Sequence, residues 1–245
     1  VSFVVVPTAC EISNETMLHE FHTPQREVSE YVDKRLSGKI NYVNGLSALL
    51  PHSQEQLYYN SDHHWTSLGA YYAYTEFMKS QGRAAAGIAE ISFESRGMFS
   101  GSFYNFTGDD RVRQIKDEMF VYTPKSSYTV AYNWEDSKQL TKLESFFSES
   151  CNDYKIFLGG DYGYTKIETE NGGESILIIK DSYANAFIQY MLDSYGKIII
   201  IDPRYFQERM TETVEREKPD SLLFINNMET LSDNYFVNNL NRILE

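Results

Sequence analysis

The last third of the chain alternates between short apolar runs and amphipathic segments, and this alternation restricts the fold more than any other feature. Three runs are apolar and rich in β-branched residues, as in strands buried on both faces: SILIIK (175–180), KIIIID (197–202) and SLLFIN (221–226). Each is followed by a helical pattern: DSYANAFIQYMLDSYG closed by Gly196, a segment around 205–218, and a segment near 232–244. Strand–helix repetition of this kind predicts a parallel sheet with right-handed crossovers, and therefore an α/β fold.

Polar residues stand at the carboxyl ends of these strands, where parallel sheets bind their ligands. They are Asp181–Ser182, Asp202–Arg204 and Asn226–Asn227. Ser182 lies where a buried strand turns into a helix, which exposes its oxygen beside backbone N–H groups. The helix N-terminus also favours developing negative charge there. This is the arrangement of a nucleophile elbow, although the GxSxG pattern is absent.

The first part of the chain adds two strands to the predicted sheet. VSFVVVPT (1–8) is apolar and stopped by proline, and KINYVNGL (39–46) alternates and contains β-branched residues. Polar helical sequence over 9–36 separates them, with a break near Thr23–Pro24. If both strands join the sheet, the loop after the second one reaches the same edge as Ser182.

That loop leads to SDHHWTSLGAYYAY (61–74), which places an Asp and two His directly before a helix. We expect Ser67 as the N-cap of this helix and Gly82 just past its C-terminus. Asp62 and His64 can supply the orienting carboxylate and the base of a nucleophilic site, a pair of metal ligands, or a cap beside a structural histidine. A metal site would need a third ligand, which neither sulfur nor another clustered histidine provides.

Residues 84–170 differ in character from the flanking sequence. Gly, Ser, Tyr and Thr are frequent, and the pieces EMFVYT (118–123) and SYTVAYNW (127–134) alternate as antiparallel strands do. We expect this segment to be a β-rich insertion packed beside the main sheet, within a single domain over 1–245.

The separated segments resemble the DHHW family, and they occur in its order. They are the DHHW tetrapeptide followed by TSLGAYYAY, then IIKDSYANAFIQY, then IIIIDPRYF, within a likeness that runs from VVVPT to NNMETL. That family is related to the bacterial O-acetylation proteins of alginate and cell-surface polysaccharides. The resemblance implies an SGNH-hydrolase-like three-layer fold with a parallel sheet and a rearranged motif order.

The same resemblance implies roles for individual residues. Ser182 matches the nucleophile, His64 the general base and Asp62 its orienting acid. The oxyanion-hole asparagine is matched by Asn227, rather than Asn226.

A backbone donor to that hole is matched by Gly101. Tyr183, Asn185 and Arg204 are expected to face the substrate; Arg204 either binds a substrate carboxylate or pairs with an aspartate, Asp202 or Asp220. No metal and no cofactor are expected.

Two departures from the alginate relatives affect the site. His63 separates Asp62 from His64, so the pattern alone leaves open which imidazole faces the serine. The loop GGDYGY (159–164) stands where a basic or histidine-containing loop is expected, which predicts different substrate recognition.

A formal net charge of −13 and the lack of any Lys/Arg run exclude nucleic acid and anionic membrane surfaces as partners. The family resemblance implies a cell-surface glycan as substrate, with a membrane-bound protein as acyl donor. The enzyme is an esterase if water accepts the acyl group, and an acetyltransferase if a sugar hydroxyl does. The alternative is a non-catalytic glycan-binding or assembly protein that keeps the fold.

The chain starts inside a predicted strand and has no initiator methionine. We therefore expect a preceding anchor or export segment, and an extracytoplasmic location at the cell envelope. The two cysteines, Cys10 and Cys151, form either one disulfide or two separate thiols.

Overall fold

A computed structural model of the chain describes residues 1–12 and 24–245. The strands are β1 (Ser2–Val6), β2 (Asn41–Asn44), β3 (Phe93–Phe99), β4 (Asp117–Tyr122), β5 (Tyr128–Asn133), β6 (Thr141–Leu143), β7 (Tyr164–Thr169), β8 (Ser175–Lys180), β9 (Lys197–Ile201) and β10 (Ser221–Asn227). The helices are α1 (Ala9–Ile12), α2 (Gln25–Leu36), α3 (Gly45–Leu49), α4 (Ser67–Ser80), α5 (Phe103–Thr107), α6 (Asp110–Arg113), α7 (Ala184–Met191), α8 (Met210–Glu217) and α9 (Asn234–Leu244). Pro24 precedes α2 directly, whereas Thr23, the other half of the predicted break, lies outside the described residues.

Eight of these strands form one sheet in the order β2-β1-β10-β8-β9-β7-β5-β6. The first five pair in parallel, and β7, β5 and β6 continue the sheet in antiparallel pairs. The registers Val6 with Asn227 and Ile225 with Lys180 bring the carboxyl ends of the parallel strands to one edge. The predicted α/β fold with a parallel sheet is confirmed.

The two faces of the sheet bury different helices, which makes the fold three-layered. Along β8, Ile176 and Ile178 pack into the larger core with apolar residues of α4 and α7. Leu177 and Ile179 point to the opposite face and pack with Ile243 of α9 and other apolar residues. Such runs without a polar face are required because both sides of a parallel sheet are covered.

Residues 84–170 are divided between two sheets. β3 and β4 pair with each other in a separate antiparallel sheet, whereas β5, β6 and β7 are hydrogen-bonded into the main one. The part that follows β4 is therefore continuous with the main sheet, although it is antiparallel. None of the helices in the described ranges is long and apolar enough to cross a membrane.

Three predicted helix ends are corrected. Thr66, not Ser67, is the N-cap of α4, and its hydroxyl accepts a hydrogen bond from Gly69 N at 3.2 Å. Helix α7 ends at Met191, so Gly196 does not close it. A side chain at Gly196 would instead overlap the backbone of Gly172.

The helix predicted around 205–218 begins later, at Met210. Gly82 follows α4 with a φ of +68°, as predicted for a residue just past a helix end. Both cysteines, Cys10 and Cys151, are free thiols.

Candidate active site

A chain of hydrogen bonds joins Ser182, His64 and Asp62 at the carboxyl edge of the sheet. The distance from His64 Nε2 to Ser182 Oγ is 2.8 Å, and from His64 Nδ1 to Asp62 Oδ1 it is 2.6 Å. The histidine and the serine are 118 positions apart in sequence and meet only in the folded chain. The α4 side of the sheet carries the histidine loop, and the turn from β8 into α7 carries the serine. Ser182 precedes α7 by two residues, where the helix N-terminus favours negative charge.

The environment of Asp62 determines how the histidine ring is protonated. Burial alone would raise the pKa of Asp62, but hydrogen bonds from the His64 ring, the His64 backbone and Ser102 N hold it well below the usual range. A carboxylate only accepts hydrogen bonds, so Nδ1 of His64 carries the proton. Nε2 is then the acceptor, and the Ser182 hydroxyl donates to it.

The histidine loop is held by a carboxylate that sequence reasoning missed. Asp117, buried at the start of β4, accepts from the backbone N–H groups of Asn60 and Ser61 at 2.9 and 2.7 Å. It also accepts from the Asn60 amide, the Ser61 hydroxyl and Gln56 Nε2. No local signal marks this residue, because its partners lie 56 to 61 positions away.

The two histidines of the loop have different surroundings. The His63 ring lies against that of His64 with centroids 3.8 Å apart and planes tilted by 38°, and its Nδ1 is 2.7 Å from Ser102 Oγ. Tyr154 stacks on the opposite face of His64 at 3.6 Å, with ring planes 4° apart. His64 is thus clamped between two rings, and it is the imidazole that contacts Ser182.

Burial, followed by the neighbouring His64, lowers the pKa of His63 to about 4. His63 is therefore neutral at neutral pH. Its Nδ1 lies 3.7 Å from Asp62 Oδ1, farther than the direct contact of His64.

The predicted oxyanion residues occupy other places. Asn227 N donates to Asp181 Oδ2 at 2.7 Å, and Asn227 Oδ1 accepts from Glu229 N at 2.7 Å, so the residue builds a turn. Asn226 Nδ2 is buried without a partner among the described residues. Neither asparagine is among the described residues that line the cavity in front of Ser182.

Gly101 is also placed differently from the expectation. Its N–H donates to Ser61 Oγ at 3.0 Å and is therefore not offered to an oxyanion. A side chain at Gly101 would overlap Asp62 Cβ, so the glycine permits the loop to approach the acid. The backbone N–H of Ser182 remains as a donor beside the serine, since no described residue accepts from it.

Tyr183 supports the histidine loop instead of facing a substrate. It is buried, and its hydroxyl donates to the backbone oxygen of His63. Its own backbone oxygen accepts from Trp65 Nε1 at 2.8 Å and from the Tyr154 hydroxyl at 3.1 Å. These bonds tie the turn that carries Ser182 to the loop that carries His64.

A cavity of about 550 Å³ opens in front of the serine, and Asn185 and Arg204 line it as predicted. Arg204 binds Asp202 through Nε at 2.9 Å and Nη2 at 2.6 Å, and its Nη2 lies 3.0 Å from Asp161. The ion pair with Asp202 is thus the arrangement found, with Asp161 as a second, unpredicted partner. Asp220 instead binds Ser175.

Asp161 lies in the GGDYGY loop, where a basic or histidine-containing loop was expected. Burial would raise the pKa of Asp161, but Lys180 and Arg204 hold it well below the usual range. Lys180 is almost wholly buried at the end of β8, contacts Asp161 and lies 3.4 Å from Asp202. Asp161 and Arg204, which line the cavity, thus form with the buried Lys180 and Asp202 a set of two cations and two carboxylates that compensate one another.

One cluster in the described residues offers ligand atoms for a metal. Those of Asp62, His63 and His64 lie within 4.8 Å of one another. Both ring nitrogens of His64 are engaged by Asp62 and Ser182, however, so a cation there would have to break the hydrogen-bond chain.

Comparison with known proteins gives a family match over most of the chain. The model of the DHHW protein family matches residues 1–201. A crystal structure of a DHHW family protein from Eubacterium siraeum aligns with a TM-score of 0.88 and 27% identity, covering 100% of this chain and 83% of that one. No curated protein sequence matches the chain.

More distant structures share the fold. Bacillus cereus PatB1 with a sulfonyl adduct aligns with a TM-score of 0.75 and 18% identity, covering 96% of this chain and 84% of its own. The O-acetyltransferase domain of Pseudomonas putida AlgJ aligns with a TM-score of 0.54 and 10% identity, covering 92% and 73%. These alignments confirm the predicted SGNH-like architecture.

Proposed function

This chain belongs to the DHHW protein family, and we propose that it is a serine-dependent enzyme that transfers or hydrolyses O-acyl groups. Ser182 is the nucleophile, His64 the general base and Asp62 the acid that orients it. The observation that carries this proposal is the unbroken hydrogen-bond chain from Ser182 Oγ through both ring nitrogens of His64 to Asp62. A serine needs such a base to become nucleophilic near neutral pH.

In the first half-reaction, Ser182 Oγ attacks the carbonyl carbon of the ester while His64 Nε2 takes the hydroxyl proton. The carbonyl oxygen becomes an oxyanion beside the N–H of Ser182 and the N-terminus of α7. When the intermediate collapses, the ester C–O bond breaks and His64 returns the proton to the leaving alcohol. The acyl group is then bound to Ser182.

In the second half-reaction, a hydroxyl group attacks the acyl carbon while His64 takes its proton. The bond between that carbon and Ser182 Oγ then breaks, and His64 returns the proton to Ser182 Oγ. Water as acceptor gives the free acid, and a sugar hydroxyl gives a new ester. Asp62 stays ionised throughout and stabilises the imidazolium formed in each half-reaction. We favour transfer of acetyl to a sugar, because the AlgJ neighbour is an O-acetyltransferase domain.

The remaining parts of the proposal concern context. The substrate is a glycan of the cell envelope, the protein acts outside the cytoplasm, and a membrane-bound partner supplies the acyl group. The family's link to polysaccharide O-acetylation supports these assignments. The whole chain acts as a single SGNH-like domain.

Steady-state kinetics on p-nitrophenyl acetate, followed by acetyl release and transfer on a panel of acetylated glycans, test the proposal. Ser182→Ala and Asp62→Asn are expected to lower kcat at least about a thousandfold, the second because the ring loses its oriented tautomer. Ser47→Ala, on an exposed face of α3, serves as the matched control and is expected to leave kcat unchanged. If a folded Asp62→Asn variant keeps full activity, the assignment of the acid is wrong.

A further inference from the structure

The cavity that contains Ser182 is also lined by two exposed aromatic rings that the mechanism does not use. Trp134 is 59% exposed and Tyr205 is 39% exposed, and both line the cavity that contains Ser182. Exposing large apolar rings to water is unfavourable, so their position at the mouth of a reactive cavity points to a ligand that covers them.

Trp134 is held in place despite its exposure. Its ring packs edge-on against Tyr162 at 4.7 Å, and its backbone oxygen accepts from Gly163 N at 2.9 Å. A side chain at Gly163 would overlap that oxygen, so only glycine permits this contact. Because Tyr162 and Gly163 follow Asp161 directly, the ring and the carboxylate are parts of one loop assembly. A ring fixed before binding loses little conformational entropy when a ligand stacks on it.

Tyr205 is fixed beside the arginine that binds the same carboxylate. It follows Arg204, whose guanidinium carbon lies 5.4 Å from the centre of the tyrosine ring. The Tyr205 N–H donates to the backbone oxygen of Asp202 at 3.1 Å. The two exposed rings therefore line the same cavity as the ion pair of Asp161 and Arg204.

The charge of this wall limits what it can bind. Asp161 is ionised, and it accepts hydrogen bonds from Lys180, Arg204 and Asn185 Nδ2, the last at 3.0 Å. Its carboxylate can therefore only accept hydrogen bonds from a ligand. Arg204 is engaged by two aspartates through Nε and Nη2, so its charge is compensated within the protein. Lys155, the other cation of the cavity wall, is exposed, and a single exposed pair contributes little binding energy.

We propose that Trp134, Tyr205 and Asp161 form a subsite for a neutral sugar residue of the substrate. One apolar face of the sugar ring stacks on Trp134, Tyr205 closes the other side, and hydroxyl groups donate to the Asp161 carboxylate. A uronic acid is disfavoured there, because its carboxylate would meet Asp161. This subsite deepens the proposed function and rests on it for the role of the bound glycan.

Binding is measured on the Ser182→Ala protein, so that no turnover interferes. The probes are cellohexaose and N-acetylchitohexaose as neutral oligosaccharides and hexagalacturonate as the acidic one. The chain has two tryptophans, and Trp65 is 0% exposed, so a fluorescence change on titration reports on Trp134. We expect at least one neutral probe to change the fluorescence and hexagalacturonate to bind at least about tenfold more weakly.

Calorimetry on Ser182→Ala combined with Trp134→Ala is expected to show an increase in Kd of about tenfold, in keeping with the loss of a stacked aromatic contact. Trp134→Phe keeps a ring and is expected to recover part of the affinity. Tyr31→Ala is the matched control, since Tyr31 is also 59% exposed but lies on α2, outside the cavity lining.

Three results would overturn the subsite: no binding of any probe, equal binding of the acidic probe, or unchanged affinity in Trp134→Ala. Turnover of p-nitrophenyl acetate by the unmodified protein distinguishes a failure of the subsite from a failure of the proposed function. If that turnover is absent while neutral probes bind through Trp134, the enzyme assignment fails and the subsite stands.

Discussion

At the scale of single residues, the two adjacent histidines differ because different groups surround them. The ring of His64 is bonded at both nitrogens and lies between two other rings. The ring of His63 is bonded to Ser102 and keeps 39% of its side chain exposed. Only His64 can pass a proton between Ser182 and the rest of the hydrogen-bond chain.

The lowered pKa of His63 makes stability depend on pH. With a pKa of about 4 in the folded protein and about 6.5 when unfolded, this histidine binds its proton preferentially in the unfolded state. The free energy of unfolding is therefore expected to fall as pH drops from about 6.5 toward 4, and to level off below that. His63→Gln removes this titration and is expected to lose less stability over the same range.

Urea denaturation of both proteins at pH 7 and pH 4.5 measures this difference. The range stays above the usual pKa of an unfolded aspartate, about 3.9, so the depressed pKa of Asp62 has little influence on it. An equal loss of stability in the two proteins would contradict the neutral state of His63 in the folded protein.

Residue type and position along the chain predict part of the site. Ser182, His64 and Asp62 are recognisable because a strand end and an Asp–x–His before a helix are local patterns. Local patterns do not show which partners Asn227 and Gly101 have in the folded chain. The backbone N–H of Asn227 donates to Asp181 and that of Gly101 donates to Ser61, 46 and 40 positions away, so these partners meet only in the folded chain.

At the scale of elements, the loop before α5 is built to close on the histidine loop. Ser102 N donates to Asp62 Oδ2 at 2.8 Å, and Gly101 N donates to Ser61 Oγ at 3.0 Å. This approach needs a residue without a side chain at position 101. The loop therefore fixes the second oxygen of the acid while His64 binds the first.

Gly101→Ala is expected to displace that loop from Asp62. An added methyl would overlap backbone as well as Asp62 Cβ, and crowding of this kind costs about 1–3 kcal/mol. We expect a lower melting temperature and at least a tenfold loss of kcat, in line with the roughly 10²-fold cost of a 1 Å misplacement. Gly87→Ala, with open space around it and a φ of −64°, is the control and should change neither quantity. Equal effects of the two substitutions would rule out this role of Gly101.

Helix and strand positions follow the hydrophobic pattern well, but their ends depend on contacts the pattern does not contain. From sequence, Ser67 is the expected cap of α4. The structure uses Thr66 because the Ser67 hydroxyl donates to Phe120 O at 2.5 Å, in a strand 53 residues away. Helix α7 likewise ends before the pattern predicts, next to Asp193. The carboxylate of Asp193 accepts hydrogen bonds from the Tyr122 hydroxyl, at the end of β4, and from the backbone N–H of Lys125.

At the scale of the whole molecule, the sheet runs without interruption from β2 to β6. Its parallel half is predictable because strands alternate with helices in sequence. The antiparallel half is harder to predict, because the short alternating strands of residues 127–170 are as compatible with a separate lobe as with the edge of the main sheet. The pairing of β7 with β9 makes these strands part of the main sheet. It joins segments about 30 residues apart in the sequence.

Continuity of the sheet predicts that residues 84–170 unfold together with the rest. Trp65 lies in the larger core and Trp134 directly follows β5, so each reports on one region. In Trp65→Phe and Trp134→Phe, the remaining tryptophan's fluorescence and far-ultraviolet circular dichroism are expected to give coincident urea transitions. An earlier transition for Trp134 alone would instead identify an independently unfolding insertion.

The central claim is that the fold brings Ser182 and His64 together to make a reactive nucleophile. Labelling with a fluorophosphonate probe, followed by peptide mass spectrometry, tests it most directly, because the serine oxygen must displace fluoride at phosphorus. We predict one adduct on Ser182, none in Ser182→Ala, and labelling of His64→Ala slowed at least about a hundredfold, while His63→Ala is still labelled. A sample that is folded by circular dichroism yet unlabelled, or labelled at another residue, would contradict the account.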